Sequence, residues 1–355
     1  MTSGTPPSDR ARPLAALSLS LLLLLGSCGG LAFEALAAQA SAEEISGGAG
    51  AVVALAIASA SGSTVYAGTA AGLYRSADGG QSWAAVEGDL AGLSVNALAV
   101  DPASPLTVYV GTNGAGIFRG ASGGGGWASA NTGLTNLFVE ALAVDPAPPG
   151  AVYAGTDDGI FASLDGAKSW KAVGEGLTDS FVTALAIEPG SSMVYAGTRR
   201  GGIFKTGKSG RWVAAGAGLA RGTVRALAID PASPSTVYAG TESGLFKTTA
   251  AGEAWSAINT GLASISILAL AIDPGSPSRL YACTGPGLFR SGNGGASWSA
   301  VETGSAATFF DTVAIDPTSR RAFVGSDSAV LRTTDGGKSW ALVKLPAPAQ
   351  AEEEP

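Results

Sequence analysis

One pattern of apolar and polar positions recurs along the chain. A stretch that alternates small alanines with larger residues, Val-x-Ala-Leu-Ala-Val as at Val95–Val100, points side chains to two faces in turn and predicts a strand. Val-Tyr-Ala-Gly-Thr follows, then Gly-Leu/Ile-Phe-Lys/Arg as at Gly244–Lys247, then a run opening on tryptophan as in Trp170–Val173. Clusters of Gly, Pro, Asp and Ser separate these runs, which is turn chemistry. The aromatic of the second run falls at Tyr66, Tyr109, Tyr153, Tyr195, Tyr238, Tyr281 and Phe323, at steps of 43, 44, 42, 43, 43 and 42. The tryptophans keep that step at Trp83, Trp127, Trp170, Trp212, Trp255, Trp298 and Trp340, one per unit.

Four short strands every 42–44 residues predict an all-β chain, a seven-bladed β-propeller of four-stranded antiparallel blades over residues 49–345. Nothing recurs at helical spacing, which excludes a solenoid of helix pairs. The alternating run belongs innermost, where alanines such as Ala97 and Ala99 let blades converge. The tryptophan belongs on the outer strand, where the wedge between blades is widest. Neither end offers a spare strand: Ala51–Ala58 opens the first repeat and Trp340–Val343 closes the last. The first blade is therefore expected to close on the seventh by packing.

Composition narrows the chemistry. Charged residues make up 14%, glycines number 52, and the formal charge is -7. Residues 1–27 hold Asp9, Arg10 and Arg12, so the remainder carries one negative charge more. That balance repels phosphate backbones and argues against nucleic acid as a partner. The chain has no histidine, which excludes Ser-His-Asp and Cys-His catalysis and His-ligated zinc. Its two cysteines, Cys28 and Cys283, give no disulfide framework. No cofactor and no metal site is expected.

Arg10 and Arg12 precede an apolar run from Leu14 to Leu25, the layout of a secretory signal over residues 1–27. The run ends Leu25-Gly26-Ser27-Cys28-Gly29-Gly30, which resembles a bacterial lipobox. The resemblance implies cleavage before Cys28, lipidation of its sulfur and, with Gly29 following, sorting to the outer membrane or cell surface. The lipid would be the only membrane attachment. The alternative is cleavage at Ala38-Gln39-Ala40 and a periplasmic or secreted protein. Residues 28–48 read as a flexible tether and 346–355 as a disordered acidic tail.

Between the third and fourth strands stands Ser/Thr-x-Asp-Gly-Gly-x-Ser-Trp. Ser76–Trp83 and Thr333–Trp340 match fully; Ser163–Trp170 and Ser291–Trp298 carry one change each. Gly120–Trp127, Thr206–Trp212 and Thr248–Trp255 lack the acid. The motif resembles the Asp-box (BNR) repeat of sialidases, sortilin-type receptors, two-propeller xyloglucanases and photosystem II assembly-factor-like proteins. Asp78, Asp165, Asn293 and Asp335 are expected to clamp their turns through backbone N–H bonds, beside Trp83, Trp170, Trp298 and Trp340. The Asp/Glu-Pro pairs after the inner strand, at Asp101, Asp145, Glu188, Asp230, Asp273 and Asp316, read as turns too.

Strand order places these turns on one face of the ring. The loops leading into the inner strand and the hairpins between the second and third strands lie on the other, here the mouth face. In Asp-box sialidases the active site lies away from the boxes, so the resemblance points to the mouth face. Positions that vary between repeats are free to serve a ligand. The most variable are Val53, Asn96, Glu140, Thr183, Arg225, Leu268 and Asp311, and, two residues earlier, Phe138, Phe181 and Phe309 among small residues. The hairpins add Asn113, Asp157, Asp158, Arg199, Arg200, Glu242 and Asp327. Arg199, Arg200 and Arg225, with Arg221 nearby, form an expected basic sector; Glu140, Asp157 and Asp158 form an acidic one. The alternative for all of them is an ordinary solvated loop or a core plug.

A glycoside hydrolase would need two carboxylates about 5–9.5 Å apart. Glu140, Asp157, Asp158 and Asp311 are the candidates, but the sialidase Arg-Ile-Pro signature is absent. The expectation is a non-catalytic, monomeric binding scaffold. The resemblance to single-propeller assembly factors implies a protein partner, with carbohydrate as the alternative.

Overall fold

The computed structural model describes residues 49–58, 63–120, 126–147, 150–191, 193–206, 210–220, 222–305, 307, 309–327 and 329–348. The expected leader, Cys28, the tether, Arg221 and residues 349–355 lie outside the described residues.

Among the described residues the chain forms seven four-stranded antiparallel sheets, each built from consecutive strands of one repeat. In blade 1 these are Val52–Ile57, Val65–Thr69, Gly72–Ser76 and Ala84–Ala85. The inner strands of successive blades pack side by side, and that of blade 7 (Phe310–Ile315) packs on that of blade 1. The chain is an all-β, seven-bladed propeller. The outer strand starts one residue after the tryptophan and is two residues long in blades 1 to 6, whereas blade 7 extends it over Ala341–Lys344.

The glycine of Val-Tyr-Ala-Gly-Thr sets how closely blades approach. A Cβ on Gly155 would stand 2.6 Å from Val182 Cγ1, and one on Gly68 2.5 Å from Val95 Cγ1. The missing side chain lets the first inner-strand residue of the next blade pack onto bare backbone. Blade 6 carries Cys283 there, fully buried, and its neighbour presents Phe310 in place of valine.

The tryptophans stitch four joints. Trp170 Nε1 donates to Ala130 O at 2.7 Å, Trp212 to Val173 O at 2.6 Å, Trp255 to Ala215 O at 2.7 Å and Trp298 to Ile258 O at 2.9 Å. Each acceptor lies three residues past the preceding blade's tryptophan. Trp83, Trp127 and Trp340 make no such bond; their Nε1 atoms are buried without a partner. Trp127 and Trp340 stand edge-on to Tyr66 and Tyr281, with ring centroids 5.8 and 6.1 Å apart. The ring thus has a stitched arc from blade 2 to blade 6 and an unstitched arc through the 6/7, 7/1 and 1/2 joints.

At the 7/1 joint, packing replaces the stitch. Ala49 and Leu345, from the two flanks of the repeats, are buried with Val52, Tyr74, Trp83, Phe323 and Val330. The chain continues onto blade 1, where Pro348 lies beside Ala85 and Val86. Among the described residues no sheet borrows a strand from another repeat.

Candidate functional site

The pairing of the inner strand explains how the mouth is furnished. In blade 2, Val95 pairs with Thr112 and Ala97 with Gly111, leaving Asn96 as an extra residue. The same bulge falls at Val53, Glu140, Thr183, Arg225 and Asp311. A bulge frees one residue from the ladder and re-aims its side chain. The variable position of the repeat is therefore the bulged one. Below it, the inner strands of all seven blades line an axial cavity of ≈ 300 Å³, with Val53, Asn96, Arg225, Leu268 and Asp311 at its edge. The bulge itself was not legible in the sequence; its only signal was a variable residue one step before Ala-Leu-Ala, which six repeats share and the seventh replaces with Thr312-Val313-Ala314.

On blades 2 and 3, Asn96 Nδ2 donates to Glu140 Oε1 at 3.4 Å. Burial, then the Asp157 carboxylate, push the Glu140 carboxyl up, while Arg199 pulls it back. Asp157 Oδ1 is buried without a hydrogen-bond partner, and Asp158 is exposed. On blade 4 the Arg199 guanidinium lies 4.9 Å over the Phe181 ring, a cation–π contact. Its hairpin is held by Asp179, whose Oδ2 accepts the N–H groups of Arg200 and Gly201 at 2.6 and 2.7 Å. Burial works to raise the Asp179 carboxyl, but these backbone donors win and hold it below the usual range. Sequence reasoning missed Asp179, which stands two residues before the variable phenylalanine.

On blade 5, Arg225 pairs with Glu242 at 2.7 Å, both exposed. The expected basic sector is therefore narrower: Arg225 is neutralised in place by a hairpin acid 17 residues later, leaving Arg199 and Arg200. On blade 7, burial and the neighbouring Asp327 raise the Asp311 carboxyl to about 6. Cys283, sealed in the core, has its thiol pushed up by burial first and by Asp311 second. Phe138 and Phe309 are 47% and 44% exposed and lie over the glycine hairpins at Gly114 and Gly285. With Val53, Leu137 and Ile265 they put five exposed large apolar side chains on the mouth face.

The opposite face is built for turns. Asp78 Oδ1 accepts Ser76 Oγ at 2.8 Å and the N–H groups of Gln81 and Ser82 at 2.9 and 3.0 Å, and Oδ2 accepts Ser82 Oγ at 2.5 Å. Asp165 and Asp335 repeat the arrangement, and Asn293 repeats it uncharged, with Nδ2 donating to Ser297 Oγ at 2.9 Å. The following serine hydroxyl, first, and the backbone donors hold all three carboxyls well below the usual range. Trp170 and Trp298 are buried beside their turns; Trp83 is 9% exposed and Trp340 partly buried. Among the described residues no group of three His, Cys, Asp or Glu is placed to hold a metal ion.

No family model matches the chain, and no curated protein matches it in sequence. Solved structures do. A GH74 xyloglucanase from Xanthomonas campestris is 20% identical, with a TM-score of 0.70 over 84% of this chain and 55% of that one. YCF48 bound to a D1 peptide is 16% identical, with a TM-score of 0.64 over 81% of this chain and 94% of that one. The extracellular domain of a putative hybrid two-component system from B. thetaiotaomicron is 16% identical, with a TM-score of 0.65 over 79% and 38%. The chain spans about half the length of the GH74 enzymes it matches. At these identities the likeness is one of fold, the seven-bladed β-propeller.

Proposed function

We propose that this chain is an exported, non-catalytic Asp-box propeller that holds a protein partner against its mouth face. One observation carries the reading: the position that varies most between repeats is the bulged position at the channel mouth in six blades. A scaffold alone has no use for a different side chain at each bulge. Exposed Phe138 on blade 3 and Phe309 on blade 7, with the half-buried Phe181 under Arg199 and the acids of blade 3, suit a protein surface, where apolar anchors sit within a polar rim. The peptide-bound state of YCF48 supports the same choice of partner. The residues of greatest weight are Phe138, Glu140, Asp157, Arg199, Arg200, Phe309 and Asp311. Asn96, Asp158, Phe181, Arg225 and Glu242 shape the rim.

Export rests on residues 1–27, and lipid anchoring on Cys28; the extracellular sensor domains among the structural matches support export. Labelling cells with a radioactive fatty acid tests the anchor: the wild type takes up label and Cys28→Ala does not. The binding reading is tested by capturing envelope proteins on the wild type and on Arg199→Glu/Arg200→Glu. The double variant keeps the wild-type melting point and loses the partner; undiminished capture overturns the assignment.

The GH74 likeness keeps glycoside hydrolysis as the second reading. Glu140 and Asp311, whose carboxyls are both raised, are its candidates, yet they stand on blades 3 and 7, which are not neighbours in the ring. Hydrolysis of a glycan by the wild type, abolished in Glu140→Gln/Asp311→Asn, would establish it.

A further inference from the structure

The outer rim carries a cavity more than twice the volume of the axial one. It is a groove of ≈ 660 Å³ between blades 1 and 2, walled by Arg75, Ser82, Trp83, Glu87, Asp89 and Trp127. That volume is within the range of small-molecule sites, roughly 300–1,000 Å³. We propose that this groove is a saccharide-binding site, independent of the mouth face.

The argument starts from the joint itself. At the four stitched joints the indole N–H of one blade is taken up by a carbonyl of the blade before it. At the 1/2 joint the counterpart acceptor is Val86 O, and Trp127 Nε1 does not reach it. Trp83 Nε1 and Arg75 Nε are buried and unpaired as well, although Trp83 is only 9% exposed. At the cation position of the third strand, Arg75, Arg119 and Arg332 leave Nε unpaired, whereas the lysines of blades 4 and 5 are paired. Lys205 and Lys247 cross to the next blade and donate to Ala251 O and Gly294 O at 2.8 and 3.0 Å. Where the Trp127 indole does not reach its carbonyl, blades 1 and 2 stand apart at the rim, and the groove occupies the space between them.

The wall decides the class of ligand. A pyranose has apolar C–H faces and a hydroxyl edge. The part-exposed Trp127 indole supplies surface for the first, and a guanidinium, a hydroxyl and two carboxylates supply donors and acceptors for the second. Sugar hydroxyls can donate to the exposed carboxylates of Glu87 and Asp89, and sugar oxygens can accept from the terminal nitrogens of the Arg75 guanidinium. One cation against two acids leaves no net attraction for an anion such as phosphate. The unstitched 6/7 joint also holds a groove, of ≈ 370 Å³, lined by Arg290, Glu302 and Lys338 but by no indole. It lacks a stacking surface and serves as the internal control.

The test uses the folded chain and three probes: cellohexaose, maltohexaose and chitohexaose, titrated by calorimetry and by tryptophan fluorescence. At least one binds the wild type with a submillimolar Kd. Glu87→Gln/Asp89→Asn, both exposed positions, weakens it at least tenfold without moving the melting point. Arg290→Ala/Glu302→Gln and Arg199→Glu/Arg200→Glu bind as the wild type does, which separates this site from the 6/7 groove and from the mouth. The proposal is overturned if no probe binds, if the groove variant binds undiminished, or if the mouth variant alone loses the sugar.

Discussion

Trp212→Phe and Trp340→Phe remove the same atoms at a stitched and an unstitched joint. Trp212 is 2% exposed and its Nε1 donates to Val173 O at 2.6 Å. Trp340 is partly buried, and its Nε1 is buried with no acceptor. Trimming an indole to a phenyl gives up roughly 40 Å² of apolar surface, about 1 kcal/mol at ~25 cal/mol per Å². At the stitched joint the Val173 carbonyl also loses its partner, which costs about 1–3 kcal/mol. At the unstitched joint the change deletes an unpaired donor and relieves a penalty of about that size. Trp212→Phe should therefore lose about 2–4 kcal/mol, while Trp340→Phe stays within about 1 kcal/mol of the wild type or gains. Calorimetry reads the difference as a fall in Tm of roughly 3–6 °C for the first variant and little change for the second. Equal falls in both would refute the division of the ring into stitched and unstitched arcs.

Three further outcomes follow from the same geometry. Gly155→Ala drives a Cβ to 2.6 Å from Val182 Cγ1 and should lower stability by about 1–3 kcal/mol in urea titration; a neutral result would mean the blades part freely. The Asp311 carboxyl is raised in the fold from 3.8 to about 6, so its contribution is full below its unfolded value and is lost as pH rises through 6. Asp311→Asn should melt with the wild type at pH 4 and above it at pH 7.5, and a lower melting point at pH 7.5 contradicts the burial argument. Asp78 is held below the usual carboxylate range, chiefly by the Ser82 hydroxyl, so it stabilises above that range and loses the effect as pH falls below it. Because Asn293 already makes the same turn uncharged, Asp78→Asn should match the wild-type Tm at pH 7 and show a shallower decline below about pH 4. Asp78→Ala should melt lower at both.

The sequence made the architecture plain because the repeats are arithmetic: a Tyr and a Trp at a common step leave little freedom in blade count or strand order. The mouth was legible only as a set of variable positions. What lifts Asn96, Glu140 and Arg225 to the rim is a bulge, and a bulge is a matter of pairing register, which one strand's composition does not encode. Arg225 and Glu242 are 17 residues apart, on an inner strand and a hairpin tip, so their pairing needed coordinates. The tryptophans are identical as letters. Whether an indole finds its carbonyl depends on how far two blades splay, so the unstitched joints and the groove at blades 1 and 2 could not be foreseen. Leu345, the last residue assigned to the propeller, is buried with blade 1 residues, and Pro348 just beyond it lies beside Ala85 and Val86, contacts that no repeat pattern encodes.

The central claim is that the partner docks on the mouth face. Photo-cross-linking residues placed at the exposed positions Asn113, Asp158 and Asp327, and on the opposite face at Gln81, Lys168 and Lys338, measure it in intact cells. Partner adducts from the first three positions and none from the last three are the predicted result. Adducts from the turn face with the mouth face silent would contradict it.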